Sequence, residues 1–284
     1  TGDYDLIGGL AGIGVYALAR GKAGVPLATA VVAKLVQLSR PRRGGLAWHT
    51  PPAHLAPWQR TEAPRGCWNL GLSHGTAGVI ALLARLASAE IPAARALLDA
   101  AMISLTSIAG PSGARFPAWL AGGPDEPDAV GAASSRLAWC YNDLGVAIAM
   151  LAAGRATRNA AWTADALALA RECAGRHGAR AKLDDAGLCH GYFGAAHLFN
   201  RLRHATGEAC FIEAAQRWLA HGLATRTDRP VAGFPRKIGD GPDDWMADAS
   251  LLTGAAGVAL ALHAAISEVE PSWDQLLLVD LAAP

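Results

Sequence analysis

The sequence predicts an all-α fold in which a ring of inner helices is surrounded by a ring of outer helices. The main observation is a Gly-rich turn that recurs five times and is followed each time by an apolar segment. The last Gly of the turn falls at residues 12, 78, 145, 194 and 257, at intervals of 66, 67, 49 and 63 residues. A motif that returns at such intervals indicates a repeat architecture. The second observation is that another helical segment lies between successive turns.

The segments that follow the turns are predicted to be the inner helices. They are IGVYALA, VIALLARLA, VAIAMLAA, AAHLFNRL and VALALHAA. Each is apolar nearly all round, which is typical of a buried helix. The small residues at their starts would let backbones approach closely at a crowded centre.

The segments between the turns are predicted to be the outer helices. They cover residues 26–38, 92–108, 160–176 and 209–224. The last two place apolar residues at three- and four-residue intervals, with Arg, Glu and Gln on the other side, as an amphipathic helix does. Pro26 and Pro92 begin the first two, and Pro is favoured in the first turn of a helix.

Three connectors rich in Pro, Gly and charge interrupt the helices, at residues 39–69, 109–138 and 225–248. Long loops in a compact domain are usually functional or disordered. Each connector precedes a Gly-rich turn, so we expect all three to gather on one face of the ring, around the turns. Four tryptophans in them are candidates to line a cleft, although any one of them could instead pin its loop to the body. These are Trp48, Trp58, Trp119 and Trp245.

Composition narrows the function classes. A chain of 284 residues with such repeats is predicted to form one domain over residues 1–284. The net charge of +1 gives no electrostatic indication of nucleic acid or of a membrane surface, and no apolar run is long enough for membrane insertion. Five cysteines at irregular spacing favour a reducing, cytoplasmic location over a disulfide framework. The chain starts at Thr1 inside a repeat, so we expect an N-terminal portion to be missing.

Two of the turns carry candidate metal ligands, namely Cys140, Cys189 and His190. Two thiolates and one imidazole suit zinc, and three protein ligands leave one tetrahedral position for water or substrate. The alternative is that the cysteines only pack in the core, as Cys often does, and a Cys-His dipeptide alone is a weak signal. The other cysteines are interpreted as structural. These are Cys67, Cys173 and Cys210.

Taken together, the motifs resemble the LanC-type lanthionine synthetases, the cyclases of lanthipeptide (lantibiotic) biosynthesis. The motifs are Gly2-Asp3-Tyr4-Asp5-Leu6-Ile7 with Gly9-Leu10-Ala11-Gly12, Gly71-Leu72-Ser73-His74-Gly75 with Ala77-Gly78, Arg136 with Trp139-Cys140-Tyr141, and Leu188-Cys189-His190-Gly191. The resemblance implies an α/α toroid of seven inner and seven outer helices, of which five repeats are visible here. One departure is that Asn142-Asp143-Leu144-Gly145 stands where the family usually has Gly and a Pro-Gly pair.

The resemblance also implies a reaction and a set of site residues. LanC-type enzymes add a peptide cysteine thiol to dehydroalanine or dehydrobutyrine in a dehydrated precursor peptide, which a dehydratase prepares, and so form (methyl)lanthionine thioether rings. Cys140, Cys189 and His190 would bind Zn²⁺, which deprotonates a coordinated thiol. His74 is then the candidate general acid for the enolate, with a helix-capping or loop-tying role as the alternative.

Three further residues are assigned by the resemblance. Asp5 would orient His74 or accept the substrate proton, with an N-cap carboxylate as the alternative. Arg136 would stabilise the enolate or pair with Asp5. Tyr141 is the remaining candidate catalytic residue.

Two other functions stay open from the sequence. One is a zinc-retaining relative that binds a thiol such as glutathione without forming rings. The other is an unrelated α/α-barrel enzyme acting on glycosides, which would need two carboxylates facing each other across the cavity. Asp5 and Asp143 are the acidic residues at the turns that could supply them. A mass-spectrometric assay with a dehydrated precursor peptide separates a cyclase from both.

Overall fold

The computed structural model describes residues 3–110, 115–126, 129–130, 136–239 and 241–281. Within them the fold is an all-α toroid with short strands in the connectors. The helices are α1 Leu10–Ala19, α2 Val25–Leu38, α3 Pro57–Glu62, α4 Thr76–Ser88, α5 Ala94–Thr106, α6 Asp143–Thr157, α7 Ala160–Ala174, α8 Tyr192–Thr206, α9 Ala209–Ala224 and α10 Ala255–Ile266. None of the helices in the described ranges has the length and apolar character that crossing a membrane requires.

The predicted inner and outer helices are confirmed. Helices α1, α4, α6, α8 and α10 follow the five turns, and α2, α5, α7 and α9 lie between them. Each of the first four inner helices packs against the outer helix that follows it in the chain. The second outer helix begins two residues later than predicted, because the chain turns through left-handed Ala93 before α5 starts. It also ends two residues earlier than predicted.

The last Gly of each turn is required by one contact that all five repeats share. We call these residues the closing glycines; they are Gly12, Gly78, Gly145, Gly194 and Gly257. A Cβ added at any of them would lie 2.0–2.5 Å from the carbonyl oxygen of the residue six positions earlier. No side chain fits at that separation, so the recurrence of Gly in the sequence reflects one repeated backbone geometry.

Backbone hydrogen bonds join the five turns to one another. They run from Leu6 N to Ser73 O at 3.1 Å, from Ser73 N to Cys140 O at 3.2 Å, from Trp139 N to Cys189 O at 3.0 Å, and from Cys189 N to Leu252 O at 2.7 Å. Residues in successive turns are therefore in direct contact. The N-terminal ends of the inner helices meet at one end of the ring, which is the end where the candidate metal ligands were expected.

Burial of the inner helices differs from the prediction at the two ends of the row. Helices α4, α6 and α8 are buried on nearly every side, as their composition predicts. Helix α1 instead exposes Ile13 and Tyr16, and α10 exposes Ile266. The prediction of complete burial was wrong for these two helices. Among the inner helices, α1 packs mainly on α4 and α10 mainly on α8, so one side of each remains exposed.

The connectors contain small antiparallel sheets, whereas the sequence predicted long loops. The strands are β1 Arg40–Arg42, β2 Gly45–Ala47, β3 Cys67–Asn69, β4 Trp119–Ala121, β5 Ala129–Val130, β6 Arg236–Lys237 and β7 Trp245–Met246. Strands β1–β2 and β6–β7 are hairpins, and β3–β4–β5 join the first connector to the second. Residues 111–114, 127–128, 131–135 and 240 of the connectors, and Gly2 of the first motif, lie outside the described residues.

The four connector tryptophans have different surroundings. Trp48 is fully buried and donates a hydrogen bond from Nε1 to the carbonyl of Leu35 at 2.9 Å, so it fixes its connector to α2. Trp119 is buried and Trp245 half-buried, whereas Trp58 on α3 is exposed. The cleft-lining interpretation therefore does not apply to Trp48.

Candidate metal centre

The candidate ligands occupy equivalent positions of neighbouring repeats. The residues five positions before the closing glycines are Ile7, Ser73, Cys140, Cys189 and Leu252. The residues four positions before them are Gly8, His74, Tyr141, His190 and Thr253. Because the turns are joined by backbone hydrogen bonds, residues at these two positions in neighbouring repeats lie close together. Cys140 and Cys189 come from the third and fourth repeats, and His190 follows Cys189 directly.

The three predicted ligands converge. One ligand atom each of Cys140, Cys189 and His190 lies within 4.8 Å of the other two. Cys140 is buried, while Cys189 and His190 are half-buried. Among the described residues this is the only group of three or more His, Cys, Asp and Glu side chains with such geometry. The cysteines interpreted as structural, Cys67, Cys173 and Cys210, lie elsewhere, and all five thiols are free.

The protonation of these three side chains fits a cation site. A hydrogen bond with Cys189 lowers the pKa of the Cys140 thiol to about 5, and a second one with His190 acts in the same direction. The same contacts raise the pKa of Cys189 and the pKa of His190 above their usual values. Ionisation of Cys140 is therefore favoured, while Cys189 and His190 hold their protons more tightly. Metal binding displaces such protons, and a softly coordinating set of S, S and N atoms suits zinc.

Asp5 and His74 form a hydrogen-bonded pair next to this cluster. Oδ2 of Asp5 lies 2.5 Å from Nδ1 of His74. The other carboxylate oxygen, Oδ1, accepts the backbone N–H of Gly8 at 2.7 Å, so the carboxylate is fixed on both sides. The Asp5 side chain is 10% exposed and that of His74 is 42% exposed. The pair therefore presents an accessible imidazole whose Nε2 remains available.

Tyr141 lies between the histidine and the first connector. Its ring centroid is 6.2 Å from that of His74, in a tilted arrangement. Its hydroxyl oxygen accepts a long hydrogen bond from Nδ2 of Asn69 at 3.5 Å. Burial raises the pKa of Tyr141 to about 12, against the opposing effect of hydrogen bonds with Asn69 and Gln59. The phenol is therefore neutral at physiological pH and remains a hydrogen-bond donor.

Arg136 breaks a pattern that the other four repeats follow. The residues nine positions before the closing glycines are Asp3, Asn69, Arg136, Asp185 and Asp248. In the four Asp and Asn cases the side-chain Oδ1 accepts the backbone N–H two residues later, at 3.4, 3.0, 2.9 and 2.7 Å respectively. Such a bond stabilises a tight turn. An Arg side chain has no acceptor, so the third repeat cannot form this bond.

The positive charge of Arg136 acts on the candidate ligands. It lowers the pKa of Cys140, although the hydrogen bonds of that thiol have larger effects. Within the described residues Arg136 forms no ion pair with a carboxylate, so the suggested pairing with Asp5 is not observed. Its backbone N–H donates to Oδ1 of Asn142 at 3.3 Å. The guanidinium is thus close to the cluster without being neutralised by Asp5.

The departure from the family turn has a physical explanation. Asn142 adopts φ +70° and ψ −165°, a conformation that glycine favours. In the other repeats this position is Gly with φ between −110° and −137°. The side chain of Asn142 accepts from Arg136 N and donates to the carbonyl of Phe116 at 3.2 Å, so it joins both ends of the second connector.

Asp143 is part of the same turn and is fully buried. Its carboxylate accepts the backbone N–H groups of Arg115 at 3.2 Å and Phe116 at 2.8 Å, and it pairs with the guanidinium of Arg176. It therefore fixes the connector and does not face an open cavity. The carboxylate pair Asp5 and Asp143 that a glycoside-active enzyme would need is not present as a facing pair.

Sequence reasoning missed several residues that organise the site. Asn69 and Gln59 contact Tyr141, and Asp185 holds the turn that carries Cys189. Aligning the repeats on the closing glycines would have revealed the Asp and Asn position. No local signal would have found Leu277, which lies far from the site in sequence. Its carbonyl accepts a hydrogen bond from Nε1 of Trp139 at 2.9 Å.

The comparisons with known proteins agree with this architecture. Residues 1–278 match the family model described as lanthionine synthetase C-like protein. The fold is similar to that of nisin cyclase, with a TM-score of 0.77 and 21% sequence identity, over 98% of this chain and 67% of that chain. At this identity the likeness to nisin cyclase shows the fold alone. No curated protein gives a significant match. On the family model, the chain belongs to the lanthionine synthetase C-like family.

Proposed function

We propose that this protein is a zinc-dependent cyclase that adds a peptide cysteine thiol to dehydroalanine or dehydrobutyrine and so forms (methyl)lanthionine thioether rings. The observation that carries the proposal is the convergence of Cys140, Cys189 and His190 beside the Asp5–His74 pair. A thiol-binding centre and a candidate proton donor thus lie in adjacent repeats. The family membership supports the same reaction.

Cys140, Cys189 and His190 would hold the zinc ion. When bound, zinc would lower the pKa of a substrate thiol, which at its ordinary value near 8.5 is only a few per cent ionised at neutral pH. The two thiolates of this donor set would keep the ion electron-rich, so the substrate thiolate would remain nucleophilic.

The remaining residues act on the dehydrated partner. Addition of sulfur to its β-carbon places negative charge on the carbonyl oxygen, and the guanidinium of Arg136 would stabilise that charge. His74 would then deliver a proton to the α-carbon, with Asp5 holding Nδ1 so that Nε2 faces the substrate. The neutral Tyr141 hydroxyl would donate a hydrogen bond in the same space. The S–H bond of the thiol and the C=C π bond of the dehydrated residue break as the C–S and C–H bonds form, and the proton released by the thiol replaces the one that His74 gives up, so atoms and charge balance.

The proposed substrate is a dehydrated precursor peptide. Its Ser and Thr residues must first lose water, so a dehydratase is the proposed upstream partner. Two of the three candidate ligands and the substrate nucleophile are thiols, and for that reason we propose a location in the reducing cytoplasm.

The test uses purified protein and a dehydrated precursor peptide. Metal analysis should find about one zinc per chain, and mass spectrometry after thiol alkylation should show loss of free thiols in the peptide. Cys189→Ala should lose most of the zinc and ring formation together. Cys210→Ala is the matched control, because Cys210 lies on outer helix α9. This variant should retain both the zinc and ring formation.

Two results would count against the proposal. Stoichiometric zinc in a Cys140→Ala, Cys189→Ala double variant would exclude these residues as ligands. A zinc-loaded protein that binds glutathione, but leaves every thiol of the dehydrated peptide open to alkylation, would identify a non-cyclising relative.

A further inference from the structure

Trp58 is an exposed tryptophan to which the proposed mechanism assigns no role. All nine tryptophans lie within the described residues, and Trp58 is the one that is classed as exposed, at 58%. A large aromatic side chain left in water forgoes the stabilisation that burial gives it. Trp and Tyr are also the residues that most often anchor partners at binding surfaces.

The helix that carries Trp58 is joined to the site by contacts of its own. A small apolar cluster separate from the main core flanks helix α3 and consists of Leu55, Ala63, Cys67 and Trp119. Gln59 is buried, accepts a hydrogen bond from the backbone N–H of Ala56 at 3.3 Å and also contacts the Tyr141 hydroxyl. Trp58 therefore lies on a helix that contacts Tyr141, the residue next to the candidate ligand Cys140.

Four rings continue from Trp58 into the site, and we call Trp58, Trp119, Tyr141 and His74 the aromatic row. The ring centroids are 5.7 Å apart between Trp58 and Trp119, 6.3 Å between Trp119 and Tyr141, and 6.2 Å between Tyr141 and His74. These separations are typical of interacting aromatic rings. The row thus runs from the exposed Trp58 through the buried Trp119 and the half-buried Tyr141 to the candidate acid.

We propose that the precursor peptide binds at the outer end of the aromatic row, and that Trp58 there contacts an apolar or aromatic side chain flanking the reacting cysteine. The inference deepens the proposed function and rests on it for the identity of the ligand. The indole of Trp58 at the outer end of the row is uncharged, and the charged Arg60 two residues away donates from Nε to the carbonyl of Leu55 at 3.0 Å. An apolar side chain suits that surface better than a charged one. Extended peptide rises about 3.4 Å per residue, so each step of the row corresponds to roughly two residues.

The test is a binding experiment that requires no turnover. Four fluorescein-labelled peptides share a Gly/Ser host sequence and carry either Cys or Ser at the centre. They carry either Phe or Gly at both positions five residues from the centre. Anisotropy titrations with zinc-loaded protein should show three- to tenfold tighter binding of the Phe peptides than of the Gly peptides, with either central residue.

Trp58→Ala should abolish the preference for Phe, and its exposure means that the variant folds, which circular dichroism will verify. Tyr16→Ala is the matched control, because Tyr16 is 54% exposed but lies beyond the first turn of α1. It should retain the full preference.

The two proposals fail in different ways. The role of Trp58 is overturned if the unaltered protein binds the Phe and Gly peptides equally or binds neither. It is also overturned if the preference for Phe survives Trp58→Ala. The Cys peptides should also bind more tightly than the Ser peptides. Loss of that difference alone would contradict thiol capture at the metal centre and would leave the peptide surface supported.

Discussion

At the scale of single residues, the Asp5–His74 pair is the part of the site whose geometry constrains chemistry most directly. Asp5 uses one oxygen to bind the Gly8 backbone and the other to bind Nδ1 of His74. This arrangement fixes the ring orientation and selects the tautomer, since a carboxylate can only accept. The same hydrogen bond joins the first and second turns, so it also fits a loop-tying histidine. The acid role therefore remains a proposal that a variant must test.

Asp5→Asn tests this assignment. The amide has the size of the carboxylate and keeps one acceptor oxygen. Its NH₂ group would instead donate to Nδ1 of His74 and so favour the tautomer with the proton on Nε2. We expect the cyclisation rate to fall by roughly two orders of magnitude or more while zinc content stays unchanged. The matched control is Asp3→Asn, because Asp3 pairs with His54 at 3.3 Å and lies only two residues away. Equal rates for the two variants would return His74 to a structural role.

Asn142 is a second residue whose conformation bears on the site. Its left-handed φ of +70° costs an estimated 1–3 kcal/mol, and two side-chain hydrogen bonds of about 1 kcal/mol each offset that cost. Asn142→Gly should therefore change the free energy of unfolding by no more than about 1 kcal/mol, because strain and hydrogen bonds are lost together.

The rate should respond differently from the stability. Without Asn142 the backbone of Arg136 is no longer held, so we expect a ten- to hundredfold loss of turnover with zinc retained. Arg158→Gly is the control, since Arg158 is also left-handed, at φ +55°, but lies at the opposite end of the same helix α6. Turnover should be unchanged there. A full rate in Asn142→Gly would show that Arg136 is positioned without it.

At the scale of elements, the helices could be predicted and the connectors could not. The closing glycines recur because each approaches a carbonyl oxygen within its own turn, which is a local requirement that leaves a visible pattern. The strands have no comparable pattern, since they are two or three residues long. Pairing of Cys67 with Ala121 also depends on residues far apart in sequence. Such pairing is set by packing and not by local propensity.

The same difference explains which site residues were found. The ligands and His74 sit in the repeated turns, so the motif led to them. Asn69, Gln59 and Trp58 act through contacts with Tyr141 and Trp119 that only the folded connectors create. Arg136 was found from the resemblance, but the reason for its difference from Asp3, Asn69, Asp185 and Asp248 becomes evident only when the turns are compared in three dimensions.

At the scale of the whole molecule, residues 270–281 fix several inner helices at once, which nothing in their sequence predicted. Leu277 accepts the indole N–H of Trp139, and Asp280 pairs with Arg85 on α4. Asp274 is fully buried and binds Nε2 of His197 at 3.0 Å and Nε of Arg201 at 3.2 Å, both on α8. The segment therefore connects α4, α8 and the turn before Cys140.

Asp274→Ala should cost far more stability than Asp280→Ala. Removing Asp274 leaves His197 and Arg201, each 1% exposed, without their shared acceptor, and breaking a buried charge network in this way costs about 3–5 kcal/mol. The Arg85–Asp280 pair is 17% and 25% exposed, so its loss should cost about 1 kcal/mol. Urea unfolding monitored by circular dichroism gives both free energies. If the two variants lose equal stability, the buried network does not hold the segment, and the contact of Leu277 with Trp139 must do so.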